Sequence, residues 1–293
     1  MNNLSSSFSE KTSFFIRAFR ISKTMFQSTH TCVGCDNGKM VHSAKHYALY
    51  AANIPYYNTN MGNFIGIDQY YILLVVPTIL LSLWAQFKVK STFNKYSNVM
   101  SKKGISGAQA AQFLLNANSI NNVAVESVAG SLTDHYDPSN HVLRLSQPVY
   151  GQATIAAVGV AAHETGHAIQ HARGYGPLGL RSGLYPVANI GSRFGPLLAV
   201  IGLGFQENFP FLFNIGILLF AASVAFYLVT LPVEFNASSR ALAILAENNV
   251  LDDEELRGVK KVLSAAAMTY VASALTAVMS LVRLILLSQR RRR

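Results

Sequence analysis

The 293-residue chain has few charged residues and very little cysteine. Charged side chains make up 13% of the sequence and hydrophobic residues 51%, so the chain is more apolar and less charged than a typical soluble domain. Its two cysteines, Cys32 and Cys35, are close to the N-terminus, so no structural disulfide can form in the rest of the chain. These absences exclude a disulfide-stabilised scaffold and favour an integral membrane protein.

Apolar segments at four places are candidate membrane spans. Residues 70–87 have the length of a span and carry aromatic residues at both ends, as anchors at a bilayer interface do. Residues 209–233 and 265–287 are also long enough to cross. The apolar run at 194–205 is shorter, and is either a short span or the first arm of a hairpin. The fold class that we expect is therefore a mainly α integral membrane protein.

A segment of soluble character lies between the first span and residue 163. Residues 107–118 have the apolar spacing of an amphipathic helix. Residues 123–128 and 141–146 alternate in polarity and are separated by a turn signal at 137–140, which predicts two short antiparallel strands. The free edge of such a sheet could pair with an extended peptide, although a sheet with no role in substrate binding fits the pattern almost as well.

The segment HETGHAIQHA, residues 163–172, has the pattern of a metal site. His163 and His167 are four residues apart, so both imidazoles lie on one face of a helix and can bind the same ion. Glu164 follows the first histidine and can act as the general base on a metal-bound water. The apolar, alanine-rich residues before the motif favour a buried helix. This layout is typical of a zinc peptidase; the alternative is a pair of core histidines without a metal.

A catalytic zinc site takes three protein ligands and leaves a fourth position open. His171 is near in sequence, but the helix has turned well away from His163 by that point. Glu234 is the better candidate, because it is a lone acid at the end of a long apolar run. The alternative for Glu234 is a charge that complements the N-terminus of a following helix.

The motif at 163–172, the segment VEFNAS at 233–238, and the segments DHYDP at 134–138 and LRLS at 143–146 together resemble the YugP-like membrane zinc metallopeptidases of bacteria. The similarity runs from about residue 63 to the C-terminus. It implies a small zinc protease domain with a short β-sheet, Zn²⁺ held by His163, His167 and Glu234, and Glu164 as the catalytic base. More distantly, the chain is similar to the HtpX group of membrane gluzincins.

Other residues are candidates for supporting roles in such a site. Asn236 and Ser238 lie close to Glu234 in sequence, and either could accept a hydrogen bond from a ligand imidazole or cap a helix. The oxyanion of the reaction could be stabilised by His135, Tyr136 or Arg240.

The function that we expect is a membrane-bound zinc endopeptidase acting on protein or peptide substrates, including membrane proteins. The alternative is an inactive metal-binding membrane scaffold or adaptor. Glu164 separates the two, because a purely structural metal site has no task for it. The net charge of +10 is better explained by anionic lipid than by nucleic acid. The sequence does not indicate an oligomeric state.

The basic residues give conflicting signals about topology in a bacterial plasma membrane. Several lysines directly follow the first span and favour a cytoplasmic site there, whereas other basic residues precede the span or end the chain: Lys11, Arg17, Arg20, Lys23, Lys39, Lys45 and residues 290–293. Residues 1–62 are expected to form a disordered extension outside the zinc peptidase domain at 63–293. Cys32 and Cys35 in that extension have the spacing of a metal or redox pair.

Overall fold

The structure is a computed structural model that describes residues 68–205 and 208–291. The predicted N-terminal extension, with Cys32 and Cys35, lies outside the described residues. A π-helical segment, Tyr71–Val75, leads into helix α1. The elements that follow α1 are, in chain order, α2, β1, β2, β3 and α3 to α7. Their bounds are α1 Val76–Tyr96, α2 Gly107–Ala117, β1 Ala124–Val128, β2 His135–Asp137, β3 Val142–Ser146, α3 Gln147–Tyr150, α4 Ile155–Ala172, α5 Gly176–Gly204, α6 Pro210–Glu247 and α7 Asp253–Arg291.

Within the described residues, four helical segments are long and apolar enough to cross a membrane: Tyr71–Tyr96, Gly176–Gly204, Pro210–Glu247 and Asp253–Arg290. Their outward faces carry large apolar side chains, with Phe87 73% and Leu218 72% exposed. Side chains of this kind on several neighbouring helices suit lipid rather than water. The predicted fold class, a mainly α membrane protein with a small β-sheet, is confirmed.

The membrane-spanning helices are longer than the apolar runs from which the spans were predicted. The run at 194–205 is the second half of α5, which begins at Gly176 and contains Pro186 and Pro196. Helix α5 forms a hairpin with α6, because small residues let the two backbones touch: a Cβ on Gly191 would lie 2.1 Å from the carbonyl oxygen of Leu219. Such packing holds a proline-containing membrane helix in place.

The small sheet has the strand order β1-β3-β2. Both predicted strands are present, but the prediction that they are antiparallel to one another is wrong: β1 runs parallel to β3, with Ala124 opposite Val142. The reason is β2, which the polarity pattern did not indicate. It follows β1 in the chain, runs in the opposite direction at the edge of the sheet, and pairs antiparallel with β3, with Tyr136 opposite Leu143.

The predicted amphipathic helix is confirmed as α2. Ser106 and Gln109 form a reciprocal capping box at its N-terminus, in which the Ser106 side chain accepts from the Gln109 amide and the Gln109 side chain accepts from the Ser106 amide. Its apolar face packs against α4, which is the central helix of the fold. Sixteen consecutive residues of α4, 155–170, are buried.

Polar contacts join the first and last long helices at both ends. At one end, Arg283 Nε donates to Asp68 Oδ2 at 2.8 Å. At the other end, the Lys102 amide donates to Glu255 Oε1 at 2.7 Å. Helices α1 and α7 therefore run antiparallel along much of their length, and the sheet with α4 lies toward the Lys102 end.

Candidate metal centre

Helix α4 places His163 and His167 one turn apart on a buried face. The helix begins after Thr154, whose side chain accepts a hydrogen bond from the Ala157 amide. The two imidazole rings meet edge to face, with their centroids 4.8 Å apart. The sequence motif thus brings both rings to the same point in the core.

Glu234 reaches this point from α6. Its Oε2 atom lies 3.3 Å from Nε2 of His163 and 3.5 Å from Nε2 of His167. One ligand atom from each of the three residues lies within 4.8 Å of the others, and all three residues are buried. Glu234 follows Pro232 well inside the 38-residue helix, so the alternative of a helix N-terminal charge is wrong.

The three side chains fit a zinc ion. Ligand atoms that share one tetrahedral Zn²⁺ with bonds of about 2.0–2.2 Å lie about 3.3–3.6 Å apart, which matches the two measured separations. Glu234 Oε2 is buried and faces the two imidazole nitrogens. Glu164 and Glu234 are both buried, and the one of them that is paired with a cation, Glu234, meets the buried guanidinium of Arg181 through its other oxygen. A divalent cation at the three ligand atoms would compensate the burial of these acids.

Glu164 lies between α4 and the sheet. The residue is buried, with 2% of its surface exposed. Its Oε2 atom accepts a hydrogen bond from the Tyr136 amide at 3.1 Å. Its Oε1 has no hydrogen-bond partner among the described residues. Burial raises the pKa of Glu164 to about 8. A carboxyl group with a pKa in this range can both accept and return a proton near neutral pH.

Hydrogen bonds orient the two imidazoles. His163 Nδ1 lies 3.1 Å from Ser238 Oγ. His167 Nδ1 lies 2.9 Å from Gln170 Oε1, and the amide nitrogen of Gln170 donates to Val233 O and to Asn236 Oδ1. Because Gln170 presents its oxygen, His167 donates from Nδ1, and Nε2 is the ring nitrogen that faces Glu234.

These contacts place the supporting residues that the sequence suggested. Ser238 contacts the His163 imidazole directly, and Asn236 supports the His167 imidazole through Gln170. Gln170 itself was missed, although a buried polar residue three positions after His167 was a usable signal. Arg181 was also missed. Its NH1 group donates to Glu234 Oε1 at 3.1 Å, and the signal was an arginine in a segment with many apolar residues.

The remaining candidates lie around the site rather than in it. His171 Nδ1 lies 2.8 Å from the Tyr136 hydroxyl, and the His171 ring lies 5.5 Å from the ring of His141. His135 Nδ1 contacts the carbonyl of Thr133 at 2.8 Å, and Arg240 donates to Asn236 at 2.7 Å. The proposed role of His135, Tyr136 or Arg240 in stabilising an oxyanion therefore stays a prediction.

The segments DHYDP and LRLS meet in the sheet. Asp134 is fully buried and accepts hydrogen bonds from both the amide and the hydroxyl of Ser146, at 2.8 and 3.0 Å. Arg144 donates to Asp137 at 2.9 Å. These bonds hold β2 against β3, and thereby hold the Tyr136 amide at Glu164.

A close approach of two helices sets the position of Glu234. A Cβ added to Gly166 would lie 2.6 Å from the carbonyl oxygen of Ala237, less than one turn after Glu234. Only glycine leaves room for α6 at this distance. Any larger residue at 166 would separate α6 from α4 and move the Glu234 carboxylate away from the imidazoles.

Comparison with known proteins identifies the family of the chain. A family model described as "Putative neutral zinc metallopeptidase" matches residues 71–289. The chain is 49% identical over 219 residues to a protein of Bacillus subtilis (strain 168) named "Putative membrane protease YugP", an alignment that covers 74% of this chain and 96% of that protein. No solved structure matches the chain. The resemblance inferred from the sequence is confirmed, and the chain is a membrane protein that belongs to the neutral zinc metallopeptidase family.

Proposed function

We propose that the protein is a membrane-bound, zinc-dependent endopeptidase. His163, His167 and Glu234 would hold the Zn²⁺ ion, and Glu164 would act as general base. The observation that carries this proposal is the meeting of three buried ligand atoms beside a buried carboxylate that keeps one oxygen without a hydrogen-bond partner among the described residues.

The residues of the site divide the work of peptide hydrolysis. A bound Zn²⁺ would supply a Lewis acid that polarises the scissile carbonyl and acidifies the attacking water. Glu164 takes the proton of that water on Oε1 as the water oxygen bonds to the carbonyl carbon, and it passes this proton to the peptide nitrogen as the C–N bond breaks. The Tyr136 amide holds Oε2 of the same carboxylate, so Oε1 keeps its direction during both transfers.

Protein and peptide substrates are proposed to lie extended along β2. This strand is an outer strand of the sheet, and the Tyr136 amide points away from β3, toward Glu164. A substrate strand added at this edge would bring its backbone next to the general base. Glu234 follows the apolar part of α6 directly, so the site lies near a membrane boundary, within reach of membrane proteins as well as of soluble peptides.

The alternative, an inactive metal-binding scaffold, is less well supported. A structural zinc site closes its coordination with a fourth protein ligand. The described residues offer a group of three, His163, His167 and Glu234. The buried Glu164 beside them would be costly to retain without a task.

The proposal is tested on the full chain purified in detergent. We expect about one zinc ion per chain and cleavage of casein or of a quenched peptide. A chelator such as 1,10-phenanthroline should abolish the cleavage, and added Zn²⁺ should restore it. Cleavage that persists after the metal has been removed, or a purified protein without zinc, would contradict the assignment.

The site is proposed to face the cytoplasm of a bacterial cell. Lys88, Lys90, Lys95, Lys102 and Lys103 lie at or beyond the end of α1 that leads to the site. Arg290 lies near the opposite end, because Arg283 is paired with Asp68 at the start of the first span. The two groups of basic residues therefore favour opposite orientations. We propose the cytoplasmic one because more of the basic residues lie next to the site.

Single cysteines test this orientation. Asn208 and Glu247 are exposed and flank α6, which is roughly 57 Å long for 38 residues. In a chain with Cys32 and Cys35 replaced by serine, an impermeant maleimide added to intact cells should label Asn208→Cys and should spare Glu247→Cys. The opposite labelling pattern would place the site outside the cytoplasm.

A further inference from the structure

Arg181 is a buried arginine on α5, a helix that exposes many of its large apolar side chains. It is 7% exposed, whereas its neighbour Leu180 is 55% exposed. The guanidinium reaches across the α5–α6 hairpin, and NH1 donates to Glu234 Oε1 at 3.1 Å. A charged group at this depth is costly unless it is paired, so its position needs an explanation.

The two oxygens of the Glu234 carboxylate have different partners. Oε1 accepts the hydrogen bond from Arg181, while Oε2 lies 3.3 and 3.5 Å from the two imidazole nitrogens. A carboxylate that is free to rotate can bind a metal with one oxygen or with both. The guanidinium, together with the buried Tyr270 that also hydrogen-bonds Glu234, restrains the carboxylate and leaves Oε2 as the oxygen that faces the imidazoles.

We propose that Arg181 is a positioning residue for the metal site, which acts by holding Glu234 as a one-oxygen ligand. This inference rests on the proposed zinc site. Its consequence is that the membrane hairpin helps to build the metal centre, because one arm supplies the ligand and the other arm supplies the group that orients it. Holding Oε1 away from the ion also keeps the fourth coordination position open for water.

The test measures zinc affinity, with the full chain in detergent and a competing chelator. We expect Arg181→Ala to bind Zn²⁺ about 10–100-fold more weakly, as is usual when an outer-shell partner of a ligand is lost. Arg193→Ala is the matched control, because Arg193 is an exposed arginine on the same helix, and its zinc affinity should equal that of the wild type. Circular dichroism of the metal-free variants checks that each is folded.

A double variant shows whether Arg181 acts through Glu234. If it does, Arg181→Ala should weaken zinc binding in the wild type and have no further effect in a Glu234→Ala background. Should Arg181→Ala fail to fold, Arg181→Met takes its place, because it keeps a long unbranched side chain and removes every N–H donor; the same loss of affinity is expected.

Two results would overturn the inference, and they are distinct from failure of the zinc site itself. Wild-type zinc affinity in the folded Arg181 variant would show that the guanidinium does not position the ligand. An equal additional loss in the Glu234→Ala background would show that it acts elsewhere. A wild-type protein without zinc affinity would overturn the proposed function, and this inference with it.

Discussion

Replacing Glu164 with glutamine is expected to lower peptide cleavage by about 10²–10⁴-fold, the usual contribution of a positioned general base, while the zinc content stays at the wild-type value. Glutamine has nearly the same shape, and its carbonyl oxygen can still accept the hydrogen bond from the Tyr136 amide. Its amide group cannot take a proton from water. The change therefore removes the chemistry of the residue and keeps its packing.

The measurement compares the initial rate on a quenched peptide with the zinc content of the same preparation. Glu254→Gln is the matched control, because Glu254 is an exposed acid at the start of α7 that pairs with Lys102 and not with the metal centre. Its cleavage rate and its zinc content should both match those of the wild type. Equal cleavage by the wild type and by Glu164→Gln would remove Glu164 from the mechanism. Loss of zinc from Glu164→Gln would instead assign that residue to the metal site.

The helical part of the site could be predicted from the sequence because its information is local. His163, Glu164 and His167 lie within five residues, and the 3.6-residue period alone puts both imidazoles on one face. Glu234 was found by a different route. A lone carboxylate at the end of an apolar run is costly without a partner, so its presence indicated a ligand before any contact was known.

The groups that orient the ligands were harder to find, because their partners are distant in the chain. Arg181 and Glu234 are separated by 53 positions, and Gln170 and Asn236 by 66. No local pattern relates such pairs; they become neighbours only when α4 and α5 pack against α6. The need for glycine at 166 also depends on a distant residue, because the carbonyl oxygen of Ala237 lies where a Cβ would be.

The sheet shows a second limit of sequence reasoning. The alternating residues of β1 and β3 were visible, but β2 has three residues, too few to display a period. Without that strand, the two longer ones seemed to be joined by a simple turn, and an antiparallel pair followed. The short strand is also the one whose Tyr136 amide contacts Glu164. The strand next to the proposed general base is therefore the one that the sequence pattern did not predict.

Replacing Glu234 with alanine is expected to remove the metal, whereas replacing His171 with alanine is expected to retain it. Alanine at 234 leaves two imidazoles as ligands, and zinc affinity should fall by more than the ~10–100-fold that follows the loss of an outer-shell partner. It also leaves the Arg181 guanidinium buried without its carboxylate, which costs about 3–5 kcal/mol. The metal-free variant should therefore also unfold at a lower temperature than the metal-free wild type.

His171 has a different task in this structure. Its Nδ1 meets the Tyr136 hydroxyl at 2.8 Å, so Tyr136 contacts α4 twice: through this hydroxyl and, two helical turns earlier, through its amide at Glu164. Alanine at 171 removes the first contact and loosens the strand beside the general base. We expect unchanged zinc content and a reduced kcat, with a smaller loss than Glu164→Gln produces.

Zinc content and thermal unfolding with and without chelator distinguish the two positions. Glu247→Ala is the control for Glu234, because it removes an exposed acid from the end of the same helix and should change neither measurement. Glu234→Gln separates ligation from packing, because its amide oxygen can still accept from Arg181 while it is a poorer metal ligand than a carboxylate. If His171→Ala lost the metal and Glu234→Ala kept it, His171 would be the third ligand, and the 3.3 and 3.5 Å separations at Glu234 Oε2 would be ion pairs without a metal.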